Sequence, residues 1–130
     1  MGLKHDEIKD LVNYRLSKSK EVLVEALDVA NLHHWNLTVN RLYYAVFHAC
    51  SALLLSRGFS ARTHHGVIKI MMMEYVKTEI LTKEEGTLIT TLFNMRNTGD
   101  YDDLYDWKES QVTPLIEPVK SLLEKLETLI

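Results

Sequence analysis

The stretch NMRNTGDYDDLYDW, residues 94 to 107, places an arginine beside several carboxylates and two phenols. Arg96 and Asp100 are four residues apart, a spacing at which two side chains can form an ion pair on a helix. Residues 100 to 109 hold five acidic residues against one lysine, a local charge of −4. Such a charge repels a free polyanion unless basic groups intervene. The stretch is therefore either a functional cluster or a well-solvated helix end.

A second group of candidate residues shares one face of a predicted helix. Arg41, Tyr44 and His48 stand at i, i+3 and i+7, so their side chains point the same way. Together they could hold a phosphate or line a subunit interface. The alternative is that Tyr44 and His48 are core residues whose polar atoms are satisfied by hydrogen bonds.

The histidine pairs suggest anion binding more than metal binding. His64 and His65 follow Thr63, a predicted N-cap, and therefore lie in the first helical turn, where free amides favour anions. Metal binding by His33, His34, His64 and His65 is the competing idea, but adjacent helical side chains diverge by about 100°. No recognised ligand spacing is present, so we predict no metal site and no cofactor.

The charge of the 130-residue chain is unevenly distributed. Residues 29 to 73 contain no acidic residue and four basic ones, a local charge of +4, although the whole chain carries −3. This middle segment could face phosphates, or it could lack acids simply because its helices are buried. The length and the 46% apolar content predict a single domain over residues 1–130.

Composition also predicts a cytoplasmic protein with no membrane segment. The N-terminal residues show no secretory apolar run, and the densest apolar stretch, 45 to 55, is interrupted by His48 and too short to span a bilayer. Cys50 is the one cysteine, so an intrachain disulfide is excluded, and we expect it to be a core thiol.

Apolar residues recur at three- and four-residue steps and strand-type alternation is missing, so we predict an all-α, up-and-down bundle of about five helices. The helices are expected at about 4–30 (one helix, or two that abut near 17–19), 36–56, 63–77, 82–99 and 113–130. The second should be central and most buried. The expected end signals are Gly58 as a left-handed stop, Thr63 as an N-cap, Thr82 with Glu85 as a capping box, Gly99 as an end, Pro114 in a first turn and Pro118 as a start or bend.

Three separated motifs resemble the HEPN domain family. They are NRLYYAVFHACSALLL (40–55), THHGVI (63–68) and RNTGDY (96–101), similar to the NRxYYAxFHA, THxGV and RxxxDY segments of its small stand-alone bacterial and archaeal branch. The resemblance covers essentially the whole chain. It implies a helical bundle like that of nucleotidyltransferase substrate-binding subunits, which pairs into a two-fold homodimer. Such proteins are often encoded beside a minimal nucleotidyltransferase, with which they act as a toxin-antitoxin pair.

The resemblance also implies a chemistry that this chain matches only in part. Many family members are metal-independent endoribonucleases with an arginine followed, after four to six residues, by a histidine. Arg96 matches that arginine, but Tyr101, Asp102 and Asp103 occupy the histidine positions, and no histidine follows Arg96. Neither a phenol nor a carboxylate titrates near neutral pH, so the usual ribonuclease activity is not expected. In some relatives a tyrosine accepts AMP groups from the partner, which makes Tyr101 and Tyr105 candidate modification sites.

Three hypotheses follow. In the first, Arg96, Asp100 and Tyr101 form the core of a dimer cleft, with Arg41, Tyr44, His48 and His64 as its opposite wall. That cleft binds a nucleotide or RNA, and a nucleotidyltransferase-type antitoxin controls the protein. In the second, the protein is an active metal-independent endoribonuclease in which His48 or His64 replaces the missing histidine. In the third, it is a structural interaction module, and Arg96, Tyr44 and His48 lie apart.

Overall fold

The computed structural model describes residues 4–101 and 105–130, and the side chains of Asp100 and Tyr101 are outside its description. Within these residues the chain forms five α-helices and no strand, which confirms the all-α prediction. The helices are α1 (His5–Asn31), α2 (Trp35–Ser56), α3 (His64–Met71), α4 (Lys83–Tyr101) and α5 (Glu109–Leu129), and a π-helical turn (Met72–Val76) extends α3. In the described part of the chain, no helix is both long and apolar enough to cross a membrane.

Helix α2 is the centre of the bundle, as its apolar sequence predicts. It packs against α1, α3, α4 and α5, and its sequence contains a single charged side chain, Arg41. Leu42 and Leu53 are fully buried, and Cys50 is buried beside them, so the cysteine is a core thiol. Burial raises the pKa of Cys50 to about 12, which leaves it protonated and a poor nucleophile at neutral pH.

Helix α1 is one continuous helix, which decides between the two possibilities left by the sequence. Ser19 lies at the suspected junction but is buried against α2, where its hydroxyl donates to the Ala45 carbonyl at 2.7 Å. Because the polar side chain is satisfied by the neighbouring helix, the serines do not interrupt α1.

Most predicted helix ends are present. Gly58 has φ 81°, in the left-handed region that glycine adopts readily. The Thr63 hydroxyl accepts a hydrogen bond from the Gly66 amide at 2.9 Å. Thr82 and Glu85 form the reciprocal capping box, with amide to side-chain distances of 2.8 and 3.1 Å.

Gly99 does not end α4, so that prediction is wrong. The helix continues to Tyr101, and Gly99 lies within its last turn. A Cβ atom on this residue would lie 3.2 Å from the Trp107 Nε1 atom. Gly99 therefore permits the close approach of the Trp107 ring rather than stopping the helix.

The predicted start of α5 is also wrong. The helix begins at Glu109, where the Gln111 side chain accepts a hydrogen bond from the Lys108 amide at 2.9 Å. Pro114 consequently lies beyond the first turn, and Pro118 lies inside the helix. The sequence prediction gave too much weight to proline as a marker of helix starts and overlooked the glutamine cap.

Candidate functional site

Arg96 reaches from α4 to two tyrosines on α2. Its Nη2 atom donates to the Tyr44 hydroxyl at 2.8 Å, and its Nη1 atom donates to the Asn97 side-chain oxygen at 3.2 Å. Its guanidinium carbon lies 5.4 Å from the Tyr44 ring centroid and 5.7 Å from that of Tyr43. These are cation–π distances, so two adjacent rings and one hydroxyl hold the permanent positive charge in place.

Tyr43 links this arginine to a histidine at the start of α3. The Tyr43 hydroxyl lies 3.0 Å from His64 Nδ1, and the two ring centroids are 5.8 Å apart. Burial raises the pKa of Tyr43 well above its usual value, although Arg96 opposes the shift. Burial, Arg96 and Arg15 all lower the pKa of His64. A neutral phenol and a neutral imidazole thus share this hydrogen bond at neutral pH. Arg96, Tyr43, Tyr44 and His64 are called the Arg96 cluster below.

His48, one turn beyond Tyr44, is paired with an arginine from α1. The Arg15 Nη1 atom lies 3.1 Å from His48 Nδ1. Burial first, and then the charges of Arg15, Lys18 and Arg41, lower the pKa of His48 to about 4. A guanidinium can only donate, so the neutral imidazole accepts at Nδ1 and carries its own proton on Nε2. His48 is therefore a neutral hydrogen-bond donor at neutral pH.

A cleft of about 710 Å³ lies between α1, α2, the segment 58–63 and the start of α3, and is called the α1/α2/α3 cleft. Tyr44, His48 and His64 line it, together with Arg15 and Arg62. None of its described lining residues is acidic. Arg96 is not part of this wall but touches it through the Tyr44 hydroxyl. The described lining of this concave surface, next to the Arg96 cluster, therefore carries two positive charges and no negative charge.

Four of the predicted site residues thus lie side by side, from three different helices. Arg96 contacts Tyr44, the Tyr44 and His48 rings are 6.4 Å apart, and the Tyr44 and His64 rings are 5.8 Å apart. All four side chains are partly exposed rather than sealed in the core. The structural interaction module predicted that Arg96, Tyr44 and His48 would lie apart, and their positions contradict it.

Arg41 is close to the site but already engaged. Its guanidinium carbon lies 5.4 Å from the centroid of the Tyr44 ring, and its Nη1 atom donates to the Glu25 carboxylate at 3.1 Å. Two further contacts, at 2.7 and 3.1 Å, go to the Asn40 side-chain oxygen. Arg41 does not line the α1/α2/α3 cleft. It is therefore better placed to orient Tyr44 than to bind an anion there.

The acidic part of the stretch 94–107 lies partly outside the described residues. The side chains of Asp100 and Tyr101, and all of Asp102 and Asp103, lie outside the described residues. Tyr105 is half-buried against Trp107, with ring centroids 4.4 Å apart. Its backbone carbonyl accepts a hydrogen bond from Asn36 at the start of α2, at 3.2 Å. Asn36 precedes Tyr44 by about 12 Å along the helix axis, so Tyr105 is attached to the start of α2, whereas the Arg96 cluster lies near the middle of that helix.

The remaining histidines do not form a ligand set. His33, His34 and His65 are exposed, and His65 points towards Phe93 rather than towards His64. Among the described residues, no group of three or more His, Cys, Asp or Glu side chains could hold a metal ion.

Two important residues were not found from the sequence. Tyr43 had a signal, since it directly precedes Tyr44 in the YY pair, but its apolar-face position suggested only a core role. Arg15 had none, because its contact with His48 joins residues that are 33 positions apart. Apolar periodicity predicts which face of a helix is buried, but it does not predict which side chains of two different helices contact each other.

Comparisons with known proteins identify one family. A model of the HEPN domain matches residues 12–129, a range that includes Arg15, the Arg96 cluster and most of the residues that line the cleft. A "UPF0332 protein" of Thermotoga maritima is 34% identical over 125 residues, which are 96% of this chain and 95% of that protein. Two proteins of Methanocaldococcus jannaschii, each named "Putative toxin", are 29% identical over 110 and 100 residues. Those matches cover 85% and 77% of this chain and 75% of each of the two proteins.

Proposed function

The chain belongs to the HEPN domain family, and we propose that it is a toxin-like protein that binds the phosphates of a nucleotide or RNA through its Arg96 cluster. A nucleotidyltransferase partner controls it, and it lacks the usual ribonuclease activity. The toxin-like role rests on the names of its Methanocaldococcus jannaschii relatives. The binding role rests on the chemistry of the site.

One observation carries the binding proposal, namely that Arg96 is held against two aromatic rings at the edge of a cleft whose described lining includes no acidic residue. The hydrogen bond to the Tyr44 hydroxyl holds the Arg96 guanidinium in position, so the side chain loses little further conformational entropy when an anion binds. A phosphate has the charge and the acceptor oxygens that a guanidinium and histidine N–H groups recognise. The cluster therefore supports recognition of a phosphate ester.

The histidines of the site support binding rather than cutting. A general base works best when its pKa is close to the operating pH. The pKa of His48 is lowered to about 4, and that of His64 is lowered as well. Both are neutral at pH 7, but His48 in particular is too weak a base to remove a proton efficiently from a 2′-hydroxyl group. The sequence provides no histidine after Arg96 to replace them.

The second candidate function is a metal-independent endoribonuclease that uses His64, and one contact favours it. The Tyr43 side chain touches both Arg96, through its ring, and His64, through its hydroxyl. An arginine to stabilise charge and a histidine to move protons thus flank one phenol. Cutting of RNA in the presence of a chelator, abolished in both Arg96→Ala and His64→Ala, would establish this function in place of the first.

Assembly and control complete the proposal. We expect a two-fold homodimer whose cleft brings the Arg96 clusters of both subunits together, in a soluble cytoplasmic protein. The partner is expected to be an antitoxin of the nucleotidyltransferase type, and Tyr101 or Tyr105 is the candidate acceptor for its nucleotidyl groups. The expectation of an antitoxin rests on the names of the two Methanocaldococcus jannaschii relatives, and the homodimer is an expectation from the motif resemblance.

The binding proposal is tested with a fluorescently labelled RNA oligonucleotide and fluorescence anisotropy at low ionic strength. Arg96→Ala should weaken binding about tenfold, the loss expected for one charge-assisted contact to phosphate. The matched control is Arg57→Ala, since Arg57 is exposed and donates to the Leu129 carbonyl at the far end of α2. Equal affinities for Arg96→Ala and wild type, with helicity unchanged by circular dichroism, would contradict the proposal.

Control by a partner is tested by co-expression with the product of the neighbouring gene. A stable complex, or an added nucleotidyl mass on a tryptic peptide that contains Tyr101 or Tyr105, is the expected result. Absence of both would remove the regulatory part of the proposal and leave the binding part standing.

A further inference from the structure

We infer that the α1/α2/α3 cleft binds one nucleoside monophosphate unit, with Arg15 and Arg62 on its phosphate and the aromatic wall against its base. The unit can be a free nucleotide or the 5′-phosphorylated end of an RNA, which share this chemistry. The inference rests on the proposed function, because the cleft adjoins the Arg96 cluster through Tyr44. It adds a binding compartment within one subunit, and the two arginines that would hold the phosphate lie outside the sequence motifs.

The cleft holds two cations without carboxylate partners. Neither Arg15 nor Arg62 forms an ion pair with any carboxylate of the described residues. Arg41, by contrast, is paired with Glu25 at 3.1 Å. Two positive charges that face an apolar concavity, with no acidic residue among its described lining, favour an anionic ligand.

Arg15 is oriented for such a ligand. It donates through Nη1 to His48 Nδ1, and this is its one hydrogen bond among the described side chains. A guanidinium has five N–H donors, so the others remain for the oxygens of a phosphate. The contact also fixes the proton of neutral His48 on Nε2, which adds a second type of donor to the same wall.

The aromatic residues of the cleft suit a flat ring. The Phe47 and His64 rings pack against each other in a tilted arrangement, with centroids 4.1 Å apart and an interplanar angle of 34°, and both rings are partly exposed and line the cleft. Phe59 and Leu54 continue this apolar wall. Aromatic faces of this kind stack on nucleobases without regard to sequence. The volume of about 710 Å³ is within the range of small-ligand sites, about 300–1,000 Å³.

Isothermal titration calorimetry at low ionic strength tests the inference, with AMP, UMP, adenosine and ribose 5-phosphate as ligands. AMP and UMP should bind, and adenosine and ribose 5-phosphate should each bind at least about tenfold more weakly, since each lacks one half of the recognised unit. Arg15→Gln and Arg62→Gln should each weaken AMP binding about tenfold. Lys69→Gln is the matched control, because Lys69 is an exposed cation of α3 outside the cleft.

Two further arms keep the inference falsifiable. Arg15→Lys retains the charge and should keep more affinity than Arg15→Gln, whereas equal losses in the two variants would contradict a charge contact with the phosphate. A 5′-phosphorylated RNA should compete with AMP more strongly than the same RNA with a 5′-hydroxyl, whereas equal competition by both would overturn the assignment of the phosphate.

Failure of the inference can be told apart from failure of the proposed function. RNA binding that depends on Arg96 but not on Arg15 or Arg62 would overturn the inference and leave the proposed function standing. Equal affinity for ribose 5-phosphate and AMP would likewise overturn it, since the base would then contribute nothing. Absence of binding to both RNA and mononucleotides would overturn the proposed function together with the inference.

Discussion

At the scale of single residues, the site combines fixed cations with histidines held in their neutral form. Arg96 and Arg15 each contact an aromatic or imidazole group, and burial and nearby charges keep His48 and His64 unprotonated. Neutral imidazoles beside cations avoid charge repulsion and still provide N–H donors. This arrangement favours an anionic ligand over proton transfer.

The residue-scale prediction concerns Arg15 and the titration of His48. Burial is the main cause of the lowered His48 pKa and the Arg15 charge is the next, so Arg15→Gln should raise this pKa from about 4 towards the usual 6.5. NMR titration of the imidazole resonances measures the change. Lys69→Gln is the control, and an unchanged His48 pKa in Arg15→Gln would contradict the pairing seen at 3.1 Å.

The same shift predicts how stability depends on pH. The folded-state pKa of His48 lies below its unfolded value, so between about pH 6.5 and 4 the unfolded chain binds more protons. The contribution of His48 is therefore fully present above pH 6.5 and is lost as the pH falls through this window. Urea unfolding should show a smaller loss of stability over this range in Arg15→Gln than in wild type.

At the scale of helices, α2 presents the site and its neighbours complete it. Tyr44 and His48 come from one face of α2, whereas Arg15, His64 and Arg96 come from α1, α3 and α4. The order of the residues in space thus depends on how closely these helices pack. The π-helical turn after α3 and the start of α4 form one such close contact, at Gly86.

The element-scale prediction is that Gly86→Ala destabilises the protein. A Cβ atom there would lie 2.9 and 3.1 Å from the two methyl carbons of Val76, and this β-branched side chain has little freedom to move. The overpacking should outweigh the higher helix propensity of alanine and cost about 1 kcal/mol in the free energy of unfolding. Thr87→Ala, at the exposed next position of α4, should be neutral or slightly stabilising. A Gly86→Ala variant more stable than wild type in urea would disprove the contact.

At the scale of the whole molecule, one buried helix holds the other elements together. Helix α2 contacts α1, α3, α4 and α5, and its buried residues contribute to the same core cluster as those of α4 and α5. Loss of packing at α2 should therefore weaken the entire bundle rather than one end of it. Unfolding should be a single cooperative transition.

The prediction at this scale compares two leucines of α2. Leu53 is fully buried, and Leu53→Ala should lower the free energy of unfolding by about 3 kcal/mol through the lost burial and the cavity left behind. Leu37 on the same helix is 47% exposed, and Leu37→Ala should cost less than about 1 kcal/mol. Urea denaturation followed by circular dichroism measures both. Equal costs would show that α2 is not the centre of the core.

The amino-acid sequence by itself determined the helices and the family. Apolar periodicity, the Thr82–Glu85 capping box and the Gly58 stop are local signals, because helical hydrogen bonds and caps join residues within a few positions of one another. The two errors have different causes. Gly99 was interpreted from a local rule, whereas its contact with the Trp107 ring depends on how the chain folds back after α4. For Pro114, a second local signal, the Gln111 cap at the start of α5, was overlooked.

Only the tertiary structure decided what the site is made of. The contacts of Arg96 with Tyr44, of Tyr43 with His64, and of Arg15 with His48 join residues 52, 21 and 33 positions apart. No sequence periodicity predicts contacts between residues so far apart in the chain, because these contacts are set by how the helices pack around α2. The lowered pKa values of the histidines have the same origin, because burial and neighbouring charges are properties of the packed bundle and not of the sequence motif.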